Sequence, residues 1–172
     1  MSVTTLGIMI LMKKTIFIGQ AMPKVKRHPH DWLSLNQWLY SIGLTDELIS
    51  KNFLYSALID YFPGTMNGSH IVPTKDDIDK ERDRLINTIT SFNPEIVVPI
   101  GRLSISYCLN EKIKPLVENI GQIYITDPYL AMKNELIVIP FPHPSGASTW
   151  SYKKGNKILL RKALKLLKNE LI

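Results

Sequence analysis

Cysteine is nearly absent from this chain of 172 residues, in which Cys108 is the single example. One cysteine cannot form an intrachain disulfide, and a metal site built from several cysteines is excluded as well. No apolar run approaches the roughly 20 residues that a membrane-spanning helix needs. A secretory signal is not indicated either, because the apolar residues 6–12 precede Lys13 and Lys14 instead of following a basic segment. We therefore expect a cytoplasmic protein without a membrane span.

Acidic residues are also few relative to basic ones: 15 Asp and Glu stand against 21 Lys and Arg, giving a formal net charge of +6. Residues 153–168 carry several basic side chains and no acidic one. This charge favours a polyanionic partner, although lysines on a terminal helix are most often merely solvated. With 45% hydrophobic residues the chain can bury a core. Its length predicts a single domain, residues 15–172, after an N-terminal extension of residues 1–14.

Segments typical of strands and of helices alternate along the chain. β-Branched and aromatic residues predict strands at 15–18, 54–59, 95–100 and 136–141, and apolar residues at helical spacing predict helices between and after them. A further short strand at 122–126 is indicated but not assigned to the sheet. This alternation predicts an α/β fold, a three-layer α/β/α sandwich with a central four-stranded, mostly parallel sheet.

The predicted last strand leads into a loop that concentrates polar groups, residues 139–150. A lone histidine at a strand end is usually hydrogen-bonded packing, but the prolines on both sides of His143 favour a functional interpretation because they fix one polar group rigidly. Small and hydroxyl-bearing residues and a tryptophan follow: Ser145, Gly146, Ser148, Thr149 and Trp150. They can hold a phosphate and stack on a base, or form only turn hydrogen bonds and core contacts.

The predicted first strand ends in a second loop of interest, Gly19-Gln-Ala-Met-Pro23. In open α/β sheets, ligands bind where loops leave the carboxyl ends of the strands. A glycine at this point would let a ligand approach the backbone closely, and the neighbouring glutamine adds amide groups. The alternative is an ordinary turn between a strand and a helix.

Together, these loops resemble the two motifs of the uracil-DNA glycosylase superfamily, Gly19-Gln-Ala-Met-Pro23 and His143-Pro-Ser-Gly-Ala-Ser148. Residues 56–64, 73–74 and 97–103 extend the similarity over most of the chain. The pattern is most similar to the family-4-like branch, whose members carry an iron–sulfur cluster. The resemblance implies the same sandwich fold, DNA as the partner, and a deoxyuridine flipped out of the DNA into a pocket between the motifs.

The resemblance also implies roles for individual residues. His143 would donate to the uracil O2 as the leaving base gains charge, and Gln20 and Ala21 would hold the attacking water or the uracil edge. The implied substrate-binding residues are Gly19, Met22, Pro23, His30, Ser56 and Ala57. The implied DNA-binding residues are Ser145, Gly146, Ser148, Thr149, Trp150, Lys153 and Lys154. The ring that stacks on the base falls on His28, His30 or Trp32.

Three positions depart from the family pattern. Ala21 stands where some relatives have a carboxylate, and Ala57 stands where they have the asparagine that recognises uracil. Tyr61 occupies the position of one of the four cysteines that hold the iron–sulfur cluster. Because Cys108 is the only cysteine, such a cluster is excluded, and we expect neither a metal nor another cofactor.

The sequence therefore predicts a monomeric, monofunctional DNA glycosylase of base-excision repair, which hydrolyses the N-glycosidic bond of uracil or another deaminated base. Ala21 and Ala57 leave open a catalytically silent nucleic-acid-binding module on the same fold. A small-molecule enzyme on a nucleotide-binding α/β fold is the third interpretation. Salt-dependent DNA binding without base release would favour the module, and no DNA affinity at low salt would favour the small-molecule enzyme.

Overall fold

The computed structural model of the protein describes residues 11–26, 28, 31–130, 134–145 and 149–172. Its centre is a five-stranded sheet in which four neighbouring strands are parallel and the fifth, at one edge, is antiparallel. In order across the sheet, the strands are β2 (Phe53–Ile59), β1 (Thr15–Ala21), β5 (Ile96–Pro99), β7 (Leu136–Val138) and β6 (Tyr124–Thr126). A separate hairpin consists of β3 (Thr65–Met66) and β4 (Ser69–His70).

Helices pack on both faces of this sheet. They are α1 (Leu33–Ser41), α2 (Asp46–Asn52), α3 (Lys75–Phe92), α4 (Arg102–Leu109), α5 (Leu116–Asn119) and α6 (Lys154–Glu170). One buried cluster joins α1 and α6 to the face of the sheet that carries Phe17. A second cluster joins α3 and Cys108 of α4 to the face that carries Ile16 and Ile18. The predicted α/β/α sandwich is thereby confirmed.

Strand β1 lies inside the sheet, and its residues Ile16, Phe17 and Ile18 have no exposed surface. A parallel strand covered on both faces needs apolar side chains in both directions, and β-branched and aromatic residues suit this position. Phe17 packs against Phe53 of β2 with their ring centroids 5.8 Å apart. The apolar run from which this strand was predicted therefore also favours its position inside the sheet.

The sheet has five strands where four were predicted. The additional strand β6 pairs antiparallel with β7 and opposes Tyr124 to Val138. It has three residues, and Ile125 at its centre is 61% exposed. Alternation over so few residues is too short to specify an edge strand from sequence. The segment indicated at 122–126 therefore does belong to the sheet, at the edge opposite β2.

The first motif is not the tight loop that its sequence predicted. Strand β1 continues to Ala21 because β2 pairs with it that far, with Ala21 opposite Ile59. The Met22 N–H then donates to the Ile59 carbonyl at 3.1 Å, and the chain leaves the sheet there. On its other side, β1 pairs with β5 only as far as Ile18 opposite Pro99. The last residues of β1 therefore have β2 beside them but no longer β5.

The described part of the predicted N-terminal extension is bound to the rest of the fold. The Lys13 N–H donates to the Leu171 carbonyl at 2.9 Å, and the Lys14 carbonyl accepts from the Ile96 N–H at 3.1 Å. The division into an extension and a single domain at residue 15 stays a prediction. Within the described ranges, no helix combines the length and the apolar character required to cross a bilayer.

Candidate functional site

A cleft of about 480 Å³ opens where β1 and β2 end, beside the loop that follows β7. Its walls come from both sequence motifs, the start of α1, the segment after β2 and strand β4. The lining residues are Gln20, Ala21, Met22, Pro23, Val25, Lys26, Trp32, Leu33, Ser34, Tyr55, Phe62, Pro63, His70, Ile71, His143, Pro144 and Ser145. A volume of this size suits a small organic ligand.

The loop that carries His143 is anchored on both sides of the imidazole. The Phe141 N–H donates to the Pro99 carbonyl at 2.9 Å, which ties the loop to the end of β5. Pro142 and Pro144 are buried, whereas His143 between them keeps part of its surface open to the cleft. The two prolines restrict the backbone and the buried contacts hold it, so the imidazole projects into the cleft from a fixed position.

The hydrogen bonding of His143 defines its protonation state. The Ser145 N–H donates to His143 Nδ1 at 3.1 Å, so Nδ1 is an acceptor and the proton of the neutral imidazole resides on Nε2. The walls of the cleft displace water from around the ring, and this desolvation lowers the pKa of His143; the charges of His70 and Lys26 lower it further. At neutral pH the ring is therefore an uncharged donor through Nε2.

Aromatic rings form much of the rest of the cleft. Trp32 and Tyr55 are buried and lie with their ring centroids 4.2 Å apart. Phe62 meets His70 edge-on, with centroids 5.4 Å apart. Lys26 Nζ lies 5.7 Å from the centroid of the Trp32 ring. Aromatic walls of this kind can stack on a planar ring of a ligand. The Lys26 ammonium adds a positive charge that would attract a negatively charged chain attached to that ring.

The first motif contributes backbone groups to the same cleft. The Ile18 carbonyl accepts from the Ile100 N–H on the β5 side of β1 at 2.9 Å. Gln20 lies beyond the last pairing of β1 with β5 and lines the cleft, so the edge of its backbone that faces away from β2 is open to the cleft. The peptide groups at Gln20 can therefore bind a ligand or a water molecule.

The structure brings together six of the predicted site residues: Gln20, Ala21, Met22, Pro23, His143 and Ser145. Trp32, one of the three candidates for stacking on a base, lines the cleft as well, whereas His28 is not among its described lining residues. His30, Gly146 and Ser148 lie outside the described residues.

The expected contact of Gly19 with a substrate stays a prediction, and the surroundings of this glycine give it a packing role. A Cβ atom built on Gly19 would lie 2.1 Å from the hydroxyl oxygen of Tyr55 and 3.0 Å from its Cζ. Contacts that short do not occur between real atoms, so only glycine admits the tyrosine at this point. Gly19 allows the close approach of a side chain, and it is not among the described residues that line the cleft.

Ser56 and Ala57 lie outside the described lining of the cleft, and their predicted contacts with a substrate stay predictions. Ser56 Oγ accepts from Arg84 Nη1 at 3.1 Å, and the Ala57 carbonyl accepts from Arg84 Nη2 at 2.7 Å. Both residues are buried and absent from the described lining of the cleft. Because side chains alternate along a strand, Ser56 faces α3 and its neighbour Tyr55 faces the cleft.

Of the predicted DNA-binding residues that the structure describes, those beyond Ser145 are not among the cleft's lining residues. Thr149 and Trp150 lie at a 3-10 turn, where the Trp150 carbonyl accepts from Asn156 Nδ2 at 2.9 Å. Lys153 and Lys154 are exposed at the start of α6, whose first turn contains no acidic residue. The positive end of the helix dipole adds to their charge. A role in DNA binding stays a prediction for all four.

Sequence reasoning missed several cleft residues, and four of them carry aromatic or basic side chains: Lys26, Tyr55, Phe62 and His70. Phe62 lies in the segment that follows β2, the strand beside β1, so the rule that selected the loop after β1 could have selected it too. Tyr55 could have been found from the alternation of β2. His70 reaches the cleft through the hairpin of β3 and β4, for which the sequence offered no pattern.

The cysteine chemistry of the iron–sulfur branch has no counterpart in these residues. Cys108 is buried, and burial raises the pKa of its thiol to about 12. Tyr61 presents an exposed phenol at the position of a cluster cysteine. Among the described residues, no group of three or more His, Cys, Asp or Glu side chains is placed to hold a metal ion. An iron–sulfur cluster therefore does not fit this chain.

Comparison with known proteins agrees with the resemblance carried by the two motifs. A family model described as Uracil DNA glycosylase superfamily matches residues 12–168, a stretch that includes the whole central sheet and all the residues that line the cleft. No curated protein matches the chain. Because the match covers most of the chain, the protein belongs to the uracil DNA glycosylase superfamily.

Proposed function

We propose that this protein is a monofunctional DNA glycosylase that hydrolyses the N-glycosidic bond of uracil, or of another deaminated base, in DNA. The observation that carries the proposal is the setting of His143, whose Nδ1 accepts from the Ser145 N–H at 3.1 Å in a cleft shared with Gln20. This setting keeps a neutral donor at the position where a leaving base would gain charge. Membership of the superfamily supports the same class of reaction.

The cleft accounts for how a single base would be held. A base inside a duplex is not accessible to side chains, so its nucleotide must flip out of the helix and lose its stacking. Aromatic residues such as Trp32 and Phe62 replace part of that stacking with their ring faces. The cleft volume of about 480 Å³ accommodates one base and excludes much of the water around it.

His143 acts on the leaving group. As the bond between C1′ and the base nitrogen breaks, its electron pair moves onto the base, and the carbonyl oxygen of the base gains negative charge. The Nε2–H of neutral His143 donates to that oxygen, and this hydrogen bond strengthens as the charge develops. The interaction is stronger in the transition state than in the ground state, so it accelerates bond breakage.

Water completes the reaction at C1′. Its oxygen bonds to C1′, one of its protons leaves to solvent, and the departing base anion later takes up a proton. Ala21 has no side chain that could act as a base, so the backbone groups at Gln20 orient the water. Catalysis then depends chiefly on stabilisation of the leaving base and less on activation of water.

The decisive experiment measures base release. Uracil-containing single- and double-stranded oligonucleotides are incubated with the protein, and abasic sites are detected as alkali-labile strand breaks. We expect breaks with the wild type and a loss of at least about 100-fold in the His143→Ala variant, the usual effect of removing such a donor. Lys51→Ala is the control, because Lys51 is exposed in α2 and is not among the described residues that line the cleft.

Three other outcomes of this experiment would each support a different conclusion. Release of hypoxanthine or xanthine, but not uracil, would keep the reaction and change the base. Salt-sensitive DNA binding with no release of any base would favour the catalytically silent module, which Ala21 and Ala57 make the second candidate because neither has a polar side-chain atom. No DNA binding at low salt would favour a small-molecule enzyme.

A further inference from the structure

Two buried aromatic residues, Trp32 and Tyr55, form what we call the floor of the cleft. Tyr55 is 6% exposed and Trp32 5%, whereas Gln20 and Ser145 in the same cleft are only partly buried. Tyr55 belongs to β2 and faces the cleft, while Ser56 beside it faces α3. The phenol is therefore a polar group on a buried part of the cleft wall.

The position of the Tyr55 hydroxyl is fixed from two sides. The Trp32 ring lies against the phenol ring, with centroids 4.2 Å apart. On the other side, the hydroxyl oxygen occupies the space left by Gly19, where a Cβ atom would be 2.1 Å away. This brings the hydroxyl to β1 directly before Gln20, which lines the cleft. A tyrosine held in this way presents its hydroxyl with little loss of conformational freedom on binding.

The chemistry of this hydroxyl suits recognition of a base edge. Burial raises the pKa of the Tyr55 phenol, so the group is neutral and can both donate and accept a hydrogen bond. Within the described part of the chain, no hydrogen bond involving this hydroxyl is formed. The hydroxyl is not among the fully enclosed side-chain atoms that lack a partner, so it remains accessible, and a bound base can supply a partner.

We propose that the Tyr55 hydroxyl binds the edge of the base and sets which bases the cleft accepts. The inference rests on the proposed function, because it concerns the substrate of the same cleft. A side-chain amide presents one donor and one acceptor in a fixed arrangement, which matches a single base edge. One hydroxyl rotates, so it donates to a carbonyl oxygen on either a pyrimidine or a purine. The expected substrates are deaminated bases of both kinds, uracil and hypoxanthine among them.

The test separates base recognition from bond cleavage. Binding of free uracil and free hypoxanthine to the full chain is measured by titration calorimetry for the wild type and for Tyr55→Phe. We expect both dissociation constants to rise about tenfold in Tyr55→Phe, which corresponds to the loss of one hydrogen bond worth about 1.4 kcal/mol. Thermal unfolding and circular dichroism establish that the variant is folded, as expected for a substitution that keeps the ring.

Tyr129→Phe is the matched control. Tyr129 is also a buried tyrosine, 3% exposed, and its hydroxyl likewise has no hydrogen-bond partner in the described structure. It packs with Tyr107 in the cluster on the opposite face of the sheet from Phe17. Its substitution should leave the affinity for both bases unchanged, so that a loss confined to Tyr55→Phe reports on the cleft.

Base release from DNA, measured beside binding, distinguishes the two proposals. Base release by the wild type with unchanged base affinity in Tyr55→Phe would overturn the role of Tyr55 and leave the glycosylase proposal intact. Binding of both bases that weakens in Tyr55→Phe, without release from DNA, would support Tyr55 and overturn the glycosylase proposal. Wild-type affinity for uracil alone, or for neither base, would overturn the inference.

Discussion

The chemistry of His143 depends on atoms that disfavour its protonation. The Ser145 N–H donates to Nδ1 at 3.1 Å. A proton on Nδ1 would therefore place two N–H groups opposite each other with no acceptor between them. The cleft walls desolvate the ring, and His70 and Lys26 add positive charge near it. The pKa of His143 is therefore below its ordinary value of 6.5, and the neutral donor persists as the pH falls below that value.

Removing the Lys26 charge should make this protonation easier. In Lys26→Gln, an imidazolium at His143 no longer meets that positive charge, so its pKa rises and base release is lost at a higher pH as the solution is acidified. The midpoint for His143 is measured by NMR titration of the imidazole, and the acid limb of base release is followed in parallel. Lys51→Gln is the control, since Lys51 is exposed in α2. A His143 midpoint that does not move in Lys26→Gln would contradict the prediction.

Gly19 and Tyr55 should be energetically coupled. A Cβ atom at residue 19 would stand 2.1 Å from the tyrosine hydroxyl oxygen, so Gly19→Ala forces the buried ring to move. We expect Gly19→Ala to lower the free energy of unfolding by about 1–3 kcal/mol, the usual cost of overpacking. In a Tyr55→Phe background the cost should be smaller, because the clashing oxygen is gone. Urea unfolding of the two single variants and the double variant measures this coupling; additive effects would argue against the contact.

At the scale of residues, the sequence predicted the cleft residues of the two motifs and missed most of those that other elements contribute. Gln20, His143 and Ser145 belong to short local motifs, which can be recognised without knowing how strands pair. Tyr55 and Ser56 differ by one position, and only the orientation of β2 decides which of them faces the cleft. Pairing in three dimensions therefore carries information that a local pattern does not contain.

At the scale of elements, β2 is an edge strand, and the side chain of Arg84 covers the backbone carbonyls near its C-terminal end. The Arg84 guanidinium donates from Nη2 to the carbonyls of Ala57 at 2.7 Å and Leu58 at 3.3 Å. Glu81 Oε2 accepts from Arg84 Nε at 2.9 Å and holds it in place. Edge strands expose unpaired backbone groups, and this arginine satisfies them from α3. It thereby fixes the strand that positions Tyr55.

Replacing this arginine should destabilise the fold. Arg84→Met keeps much of the aliphatic volume but leaves buried acceptors on β2 without a donor, so we expect a loss of about 1–3 kcal/mol in the free energy of unfolding. Denaturant unfolding measures it. Arg161→Met on α6 is the control, because Arg161 is exposed and should change stability little. Equal effects of the two substitutions would show that the contacts of Arg84 with β2 contribute nothing.

The length of an element also explains which ones the sequence could predict. Strand β1 and helix α3 have long, regular patterns, and α3 begins with a capping box in which the Thr74 N–H donates to the Asp77 carboxylate at 2.9 Å. Strand β6 has three residues and α2 has seven, too few for periodicity to separate them from loops. The extension of β1 into the first motif depends on β2 and has no local signal.

At the scale of the whole molecule, the net charge of +6 predicts attraction to DNA, and its distribution predicts where. Lys153 and Lys154 are exposed at the start of α6, where the helix dipole is positive and no acidic residue lies in the first turn. On α3, by contrast, Lys75 and Lys80 pair with acidic residues one turn away. We therefore expect DNA to be attracted more strongly to the start of α6 than to α3.

The uneven distribution of positive charge can be tested by comparing two pairs of lysines. Replacing Lys153 and Lys154 with glutamine should reduce the slope of log affinity against log salt concentration by about 0.9 for each phosphate of duplex DNA that is no longer neutralised. Replacing Lys75 and Lys80 removes the same net charge but should leave the slope nearly unchanged, because those lysines are paired with Asp79 and Asp76. Fluorescence anisotropy of labelled DNA at several salt concentrations measures both slopes. If the two double variants lose affinity equally, net charge alone drives binding and the start of α6 has no special role in it.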